Sequence, residues 1–498
     1  MEDIFKLKEN NTSVKTEIIA GFTTFFTMSY IIFVNPSMLA EAGMDSGSVM
    51  VATCLAAALG TLLMGIMSNY PFAQAPGMGM NAFFVYTICI SLGWKWEGAL
   101  AAVFVAGVIF FLITLSGLRE SILNSIPRSM KYAISAGIGF FIASVGLKNG
   151  FIISLSESGL FIGSFSNPHM ILCIIGLVIT LLLMSFKVKG GILIGIVLTT
   201  IVGTFIPDGD GDTITSFQGI QLTPSVIFGF GAFILLILFV ILWGITRKKF
   251  FAYASAISVI LSFIMLIINI FVTHTSLSMA PTFLKLDFSA MFVGPNLFVQ
   301  ITTLLTVILA LLIVDIFDTM GTIIGTAEKA GYLDKEGKLP RAKNAFMADA
   351  IASMASALFG TSTVTTFVES VSGVNEGGRT GLTSVCVSGL FVLSLLFAPV
   401  AGIVPGVATA PALIVVGILM MKPLSKINWD DFSEVASSFM IILVMPFTTS
   451  ITDGLAFGFV TYVICKAATK KSKDINPIIW GVTILFIIYY SVKAMVIG

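Results

Sequence analysis

Charged side chains are scarce in this chain: they make up 11% of its 498 residues, whereas hydrophobic residues make up 57%. So few charges cannot cover the surface of a soluble domain, and the composition therefore indicates a protein with many membrane-spanning segments. The net charge of +1 argues against a nucleic-acid partner, which would need a basic face.

Cysteine and histidine are also too few and too scattered to build a reactive centre. The five cysteines stand apart within apolar stretches, which is typical of buried small side chains rather than of disulfides. The two histidines, His169 and His274, are isolated, so we predict no metal site and no cofactor. An integral membrane enzyme would need a nucleophile–base pair or a metal cluster, and neither pattern is present.

Long apolar stretches are what the sequence has in abundance. They run from 17–40 to 477–497, and each is near the length that spans or partly spans a bilayer. If the N-terminal tail is cytoplasmic, strict alternation places the lysine- and arginine-rich connections, such as that with Lys187 and Lys189, on the same side. The pattern predicts a multi-pass protein of the cell membrane with a cytoplasmic N-terminus.

Two stretches of the chain recur in the same order. Residues 188–203 resemble 451–466, and residues 126–148 resemble 404–426. An odd number of apolar segments separates the first members of the two halves, so the halves are inverted relative to each other. Inverted repeats with broken helices at corresponding places are typical of secondary transporters.

The third apolar segment of each half is broken. The break in 71–92 contains Pro76 and Gly77, and the break in 361–376 contains a threonine run followed by Glu369. Small and β-branched residues favour a short extended segment, which is tolerated at bilayer depth only where protein or a cavity surrounds it. Because an ionisable residue at that depth indicates a functional site, Glu369 is predicted to face a ligand near the start of a half-helix.

Further polar residues are candidates for the same site. Asn81 follows the glycines of the first break, where it is predicted either to cap a helix or to contact a ligand. Asp315 and Asp318 lie on one face of a helix, and at least one of them must face the protein interior. We expect a functional role for Asp318, and hydrogen bonds in helix packing for Asp315 and Asp349.

Several motifs resemble those of a known family. DIFDTMGT, TTFVESVSGV with EGGRTGLT, and AGFTTFFTMSYIIFVNP with FAQAPGMGMNAFF resemble the AzgA-like purine permeases. These belong to the nucleobase–cation symporters, which also include the uracil and xanthine permeases. The resemblance covers most of 1–206 and 280–498. It implies an all-α polytopic fold of seven plus seven inverted segments, with short strands crossing in segments three and ten.

In that family a core domain (segments one to four and eight to eleven) moves against a gate domain (segments five to seven and twelve to fourteen). The resemblance divides this chain into a cytoplasmic tail (1–16), a first repeat (17–206, with core 17–118 and gate 126–206), a connection (207–297), a second repeat (298–471, with core 298–403 and gate 404–471) and an additional C-terminal helix (472–498). The connection departs from the family pattern because it carries two extra apolar segments, 226–246 and 251–273. We expect them to form a hairpin outside the core–gate unit.

The resemblance also implies roles for individual residues. Glu369 corresponds to the nucleobase-binding carboxylate of segment ten, Asp318 to the acidic residue of segment eight, and Asn81 to a polar residue of segment three. A carboxylate can accept two N–H donors from the edge of a purine. The predicted substrate-binding set is completed by Thr366, Phe367, Val368, Phe25 and Phe83. The phenylalanines are available to stack on the base, although phenylalanine in a membrane helix more often packs in the core or against lipid. The coupling proton is assigned to Asp318, with Asp315 as the next candidate.

The sequence thus predicts secondary active import of a purine nucleobase (hypoxanthine, guanine or adenine) by proton symport with alternating access. The coupling ion is a proton or another cation, and a homodimer is compatible with the prediction. One alternative is a uracil or xanthine permease. Another is an anion transporter or channel of the same fold. Such a protein would require a positive charge at the break, where this chain has carboxylates.

Overall fold

The computed structural model describes residues 2–116, 126–156, 159–208, 213–215, 278–332, 334, 339–395 and 404–497. Within these residues, eight helices are long and apolar enough to cross a membrane, and shorter apolar helices accompany them. The protein is therefore a multi-pass membrane protein, as the composition predicts.

The first half of the chain contributes segments 1 to 7. Segment 1 consists of helices Val14–Met28 and Ile31–Ala40, segment 2 of Ser46–Ser68, segment 3 of strand Gln74–Pro76, helix Met78–Ala82 and π-helix Phe83–Ser91, segment 4 of Trp96–Ser116, segment 5 of Arg128–Asn149, segment 6 of Pro168–Ser185 and segment 7 of Gly191–Gly203. A short helix, Glu2–Phe5, precedes them, and strands Ile153–Ser156 and Gly159–Ile162 form a hairpin between segments 5 and 6.

The second half repeats this plan. Segment 8 is Leu297–Ala330, segment 9 is Ala342–Phe359, segment 10 consists of strand Val364–Thr366 and helix Ser370–Asn375, segment 11 is Gly381–Ser394, segment 12 is Gly406–Leu419, segment 13 is Phe432–Thr448, segment 14 is Ile451–Ala468 and segment 15 is Pro477–Ile497. Short 3₁₀ helices lie at Ser289–Met291, Lys422–Lys426 and Ser472–Asp474.

Local sequence signals explain several helix ends. Segment 2 begins after Asp45, whose carboxylate accepts a hydrogen bond from the backbone N–H of Ser48 at 2.8 Å. It ends at Asn69, which adopts the left-handed conformation with φ of 54° that is common after helices. Segment 14 begins after Ser450, whose hydroxyl accepts from the N–H of Asp453 at 3.2 Å.

The two broken segments meet as a pair of antiparallel strands. Gln74 lies opposite Thr366, Ala75 opposite Thr365, and Pro76 opposite Val364. Segment 2 packs against segments 9 and 11, and segment 4 packs against segment 9. The short strands thereby connect the two halves of the chain in buried surroundings, which supply partners for extended backbone at bilayer depth.

A second group of segments packs beside the first. Segment 5 contacts segments 12 and 13, segment 6 contacts segments 7 and 12, and segment 13 contacts segment 14. Segments 5 and 12 approach at backbone distance, because a Cβ atom built on Gly139 would lie 2.9 Å from the carbonyl oxygen of Gly417. The boundaries of the core and gate domains remain predictions.

Two features of the predicted fold are confirmed: short strands interrupt segments 3 and 10, and an additional helix, Pro477–Ile497, follows segment 14. The π-helix Phe83–Ser91 and the division of segment 1 were not predicted. The extra apolar segments 226–246 and 251–273 lie outside the described residues.

Candidate functional site

Glu369 lies in the first turn after the segment 10 strand. The strand ends at Thr366, and Glu369 occupies the N-cap position of the helix Ser370–Asn375. The chain reaches this strand through Gly360, whose φ of +90° turns the backbone out of segment 9. The carboxylate therefore stands where a half-helix begins, as the threonine run predicts.

Tyr30 is the direct partner of this carboxylate. Its hydroxyl donates a hydrogen bond to Oε1 of Glu369 at 2.8 Å, and the residue is 1% exposed. Tyr30 lies in the interruption between the two helices of segment 1, and its ring centroid is 6.4 Å from that of Phe367. The sequence analysis did not single out Tyr30, although it falls within the motif AGFTTFFTMSYIIFVNP.

Asp318 faces the break in segment 3. A Cβ atom built on Gly77 would lie 3.2 Å from Oδ2 of Asp318, so this carboxylate touches the backbone just after the segment 3 strand. Asp318 and Glu369 interact electrostatically with each other and with Tyr30. The structure thus brings the two predicted carboxylates, from segments 8 and 10, to one place around a tyrosine from segment 1.

The neighbours of Glu369 in segment 10 differ in exposure. Thr366 and Phe367 are buried, whereas Val368 is 51% exposed. The hydroxyl of Thr366 accepts a hydrogen bond from Nε2 of Gln74 at 3.3 Å, which ties it to the opposite strand. The backbone of Phe367 is also bonded to segment 3, because its N–H donates to the carbonyl oxygen of Ala73, just before the opposite strand, at 2.9 Å.

A buried hydrogen-bond network supports the strand pair. Asp349 of segment 9 accepts hydrogen bonds from Nε2 of Gln74 and from the hydroxyl of Thr319, both at 2.9 Å. Thr319 also lies 2.9 Å from the hydroxyl of Thr365 and 3.5 Å from Oδ1 of Asp315. Since Thr319 has one hydroxyl proton, it donates to the nearer Asp349 and accepts from Thr365. Asp349 has the structural contacts that were predicted for it.

Asn81 lies one turn beyond Gly77, fully buried. The hydroxyl of Ser362, just before the segment 10 strand, donates to its Oδ1. Its Nδ2 has no hydrogen-bond partner among the described residues. Asn81 lies inside the helix Met78–Ala82, whose N-cap residue is Gly77, so the predicted helix cap is wrong. Contact with a ligand remains a prediction, and the unpaired amide donor is compatible with it.

Phe25 and Phe83 lie in other surroundings. The ring of Phe25 packs edge-on against Phe391 of segment 11, with centroids 5.2 Å apart. Phe83 is fully buried at the start of the π-helix. Among the described residues, Tyr30 is the aromatic residue that forms a hydrogen bond with Glu369. Stacking roles for Phe25 and Phe83 remain predictions.

Another buried carboxylate anchors the chain after segment 10. Glu17, at the start of segment 1, accepts hydrogen bonds from the N–H of Arg379 at 2.8 Å and from the hydroxyl of Thr383 at 2.6 Å. The N–H groups of Thr380 and Thr383 add contacts at 3.3 and 3.2 Å. This carboxylate therefore caps the N-terminus of segment 11, where an anion is favoured by the helix dipole. The sequence analysis missed this role, although a glutamate inside an apolar stretch signals a buried partner.

The site offers hydrogen-bond acceptors and an aromatic ring. Its charged groups, Glu369 and Asp318, are both acidic, so it suits a ligand that presents N–H donors or a cation. Within the described ranges, no group of three or more His, Cys, Asp or Glu residues could hold a metal ion. The cysteines described, Cys54, Cys89, Cys173, Cys386 and Cys465, are free thiols.

Comparison with known proteins places the chain among permeases. The model of the Permease family (Xan_ur_permease) matches residues 15–233 and 212–457. The chain is 37% identical to the adenine permease AdeP of Escherichia coli over 489 residues, covering 98% of this chain and 95% of that protein. It is 38% identical to the guanine/hypoxanthine permease PbuO of Bacillus subtilis over 490 residues, covering 97% and 99%. A putative permease of Methanocaldococcus jannaschii is 41% identical over 488 residues, covering 98% and 97%.

Solved structures share the fold at low sequence identity. The transmembrane domain of the cyanobacterial bicarbonate transporter BicA superposes with a TM-score of 0.57 at 13% identity, covering 88% of this chain and 97% of that one. The murine anion transporter Slc26a9 in its inward-facing state gives a TM-score of 0.54 at 12% identity, covering 91% and 68%. These likenesses show the transporter fold that the inverted repeats predict.

Proposed function

The chain belongs to the Permease family, so it is a transporter rather than an enzyme, and we propose that it imports purine nucleobases by proton symport. The observation that carries this proposal is that two carboxylates meet at Tyr30, beside the two short strands. Tyr30 forms a hydrogen bond with Glu369 and also interacts electrostatically with Asp318. The relatives named as adenine and guanine/hypoxanthine permeases support the choice of a purine.

Recognition of the base follows from the chemistry of the site. A purine presents ring N–H groups and, in hypoxanthine and guanine, a lactam N–H beside a carbonyl. The Glu369 carboxylate can accept from such donors, and charge-assisted hydrogen bonds of this kind are stronger than neutral ones. Among the residues that the structure describes, the backbone N–H of Val368 has no hydrogen-bond partner, so it is available to a ring nitrogen or a carbonyl oxygen. The ring of Phe367 adjoins the same place.

We assign different roles to the two carboxylates. Glu369 stands at a helix start with a phenol hydrogen bond, which suits a permanent acceptor for the base. Asp318 lies within the long helix of segment 8, against the segment 3 backbone, which suits a group that takes up and releases the coupling proton. Asp315 lies one turn earlier, with its Oδ1 3.5 Å from the Thr319 hydroxyl, and is the next candidate for the proton.

Alternating access would move the core domain against the gate domain. At one end of the predicted boundary, Nδ2 of Asn149 donates to Oε1 of Glu41 at 2.7 Å, and the hydroxyl of Tyr86 contacts the same carboxylate at 2.9 Å. At the other end, Lys189 forms an ion pair with Glu376. In the proposed orientation, with a cytoplasmic N-terminus in the plasma membrane, the first contact is external and the second is cytoplasmic.

Two other transport functions can be distinguished from purine import by their substrates. An anion transporter is favoured by the fold shared with BicA, but the two acidic side chains at the strand crossing disfavour an anionic ligand. A uracil or xanthine permease would use the same acceptor chemistry. Uptake of radiolabelled hypoxanthine, guanine, adenine, uracil and sulfate into transporter-deficient cells separates these functions. We expect purine uptake that collapses with the proton gradient, and uptake of sulfate instead would overturn the proposal.

A further inference from the structure

Tyr30 provides a hydrogen-bond donor to the Glu369 carboxylate, whose burial without a donor would cost free energy. A carboxylate within the protein at bilayer depth requires hydrogen-bond donors, and the Tyr30 hydroxyl supplies one to Oε1 of Glu369 at 2.8 Å. A phenol has an ordinary pKa of about 10, so it remains a donor at neutral pH. Tyr30 therefore occupies one carboxylate oxygen in the same way that a nucleobase N–H would.

The surroundings of Tyr30 hold its hydroxyl in place. The residue is 1% exposed and lies between the helices Val14–Met28 and Ile31–Ala40. Because a helix holds the chain on each side of it, the position of the Tyr30 backbone is fixed. Its ring adjoins that of Phe367, two residues before Glu369, at a centroid distance of 6.4 Å. A ring packed on this side limits the rotation of the phenol and, through the hydrogen bond, of the Glu369 side chain.

We propose that Tyr30 is a positioning residue for substrate recognition: by holding Oε1 of Glu369, it aims Oε2 at the N–H of the base. This inference rests on the proposed nucleobase function and adds a residue to it. A substrate whose matching nitrogen is methylated has no proton for Oε2, so selection against it depends on a fixed carboxylate. Without the phenol, the carboxylate is free to turn, and the preference for the unmethylated base becomes smaller.

The test is the ratio of affinities for a base and its methylated analogue. Purified protein is titrated with hypoxanthine and with its 1-, 7- and 9-methyl derivatives, and the derivative that the unaltered protein rejects most is kept as the probe. For Tyr30→Phe we expect weaker hypoxanthine binding, by about tenfold, with nearly unchanged binding of the probe. A loss of packing alone would weaken both ligands equally and leave their ratio unchanged.

A matched control lies at the other tyrosine–glutamate pair. Tyr86 also donates to a glutamate, Glu41 at 2.9 Å, and Tyr86→Phe should leave the ratio unaltered. A second arm shortens the carboxylate: Glu369→Asp should lower the ratio, and adding Tyr30→Phe to it should lower it no further. If Tyr30→Phe keeps the ratio of the unaltered protein, the positioning role is wrong. If the unaltered protein binds none of these bases, the proposed function itself fails.

Discussion

Gly77 and Thr365 lie so close that a Cβ atom built on the glycine would be 2.5 Å from Cγ2 of the threonine. Real Cβ atoms do not approach side chains this closely, so any larger residue at position 77 must displace the Thr365 side chain or the strand that carries it. The same Cβ would stand 3.2 Å from Oδ2 of Asp318. The missing side chain of Gly77 is therefore what lets segments 3, 8 and 10 meet.

The variant Gly77→Ala should separate these three segments. We expect a stability cost of about 1–3 kcal/mol for overpacking and a loss of purine uptake of at least about tenfold, because Asp318 and the strand that leads to Glu369 both shift. Gly389→Ala is the matched control, since no described atom outside its own helix backbone lies within 4 Å of its built Cβ. Uptake by cells that contain equal amounts of each variant measures the effect, and equal rates would contradict the proposed site.

Glu369→Gln replaces an acceptor oxygen with an N–H₂ donor that opposes the base. The loss of a charge-assisted hydrogen bond and the new unpaired donor should weaken purine binding by about 3 kcal/mol, or roughly a hundredfold. Titration of purified protein measures this. Glu41→Gln, at the other glutamate bonded to a tyrosine, should bind purine within about twofold of the unaltered protein. Near-normal binding by Glu369→Gln would remove this residue from the site.

Asp318→Asn mimics a carboxyl group that stays protonated. The variant should still bind purine and exchange it across the membrane, yet lose accumulation driven by a pH gradient, whereas Glu369→Gln loses both. Counterflow and pH-driven uptake in proteoliposomes separate the two steps, with the exposed Asp430→Asn as control. If Asp318→Asn still concentrates purine, the proton is carried elsewhere, and Asp315→Asn is the next variant to measure.

Glu17→Gln should lower stability without changing substrate choice. Its carboxylate is fully buried and accepts backbone and side-chain hydrogen bonds at the start of segment 11. In the glutamine variant, the amide N–H₂ group would face N–H and O–H groups that are themselves hydrogen-bond donors. We expect a cost of about 2–3 kcal/mol and a thermal midpoint lower by several degrees. Glu9→Gln breaks only an exposed ion pair with Lys6 and should cost less than about 1 kcal/mol. A change in purine preference would give Glu17 a role at the site instead.

The ion pair of Lys189 and Glu376 should influence the rate of transport more than affinity. Lys189→Glu or Glu376→Lys alone sets like charges together at the predicted core–gate boundary, and we expect uptake to fall severalfold. The double charge exchange restores opposite charges and should recover uptake to within about twofold. A double variant that remains as slow as the single ones would show that the pair does not act across this boundary.

Local chemistry explains which parts of this structure could be predicted. The threonine run before Glu369 and the Pro76–Gly77 break indicate extended backbone inside apolar segments, and both strands form there. The hydrogen bond between Tyr30 and Glu369 joins residues 339 positions apart in the sequence. Neither hydrophobic periodicity nor residue spacing can predict a contact over that separation. Which of several phenylalanines adjoins the carboxylates depends on helix rotation, which small differences in packing decide.

The three-residue length of the paired strands also limits how this chain can vary in length. Successive residues of a strand point to opposite faces, so one residue inserted within Val364–Thr366 would shift the register against Gln74–Pro76 and turn the following residues, Glu369 among them, away from Tyr30. The sequence of the connection 207–297 already carries two added apolar segments. Insertions and deletions in related chains should therefore accumulate in such connections and be absent from 73–81 and 361–376, whatever the amino-acid substitutions at those positions.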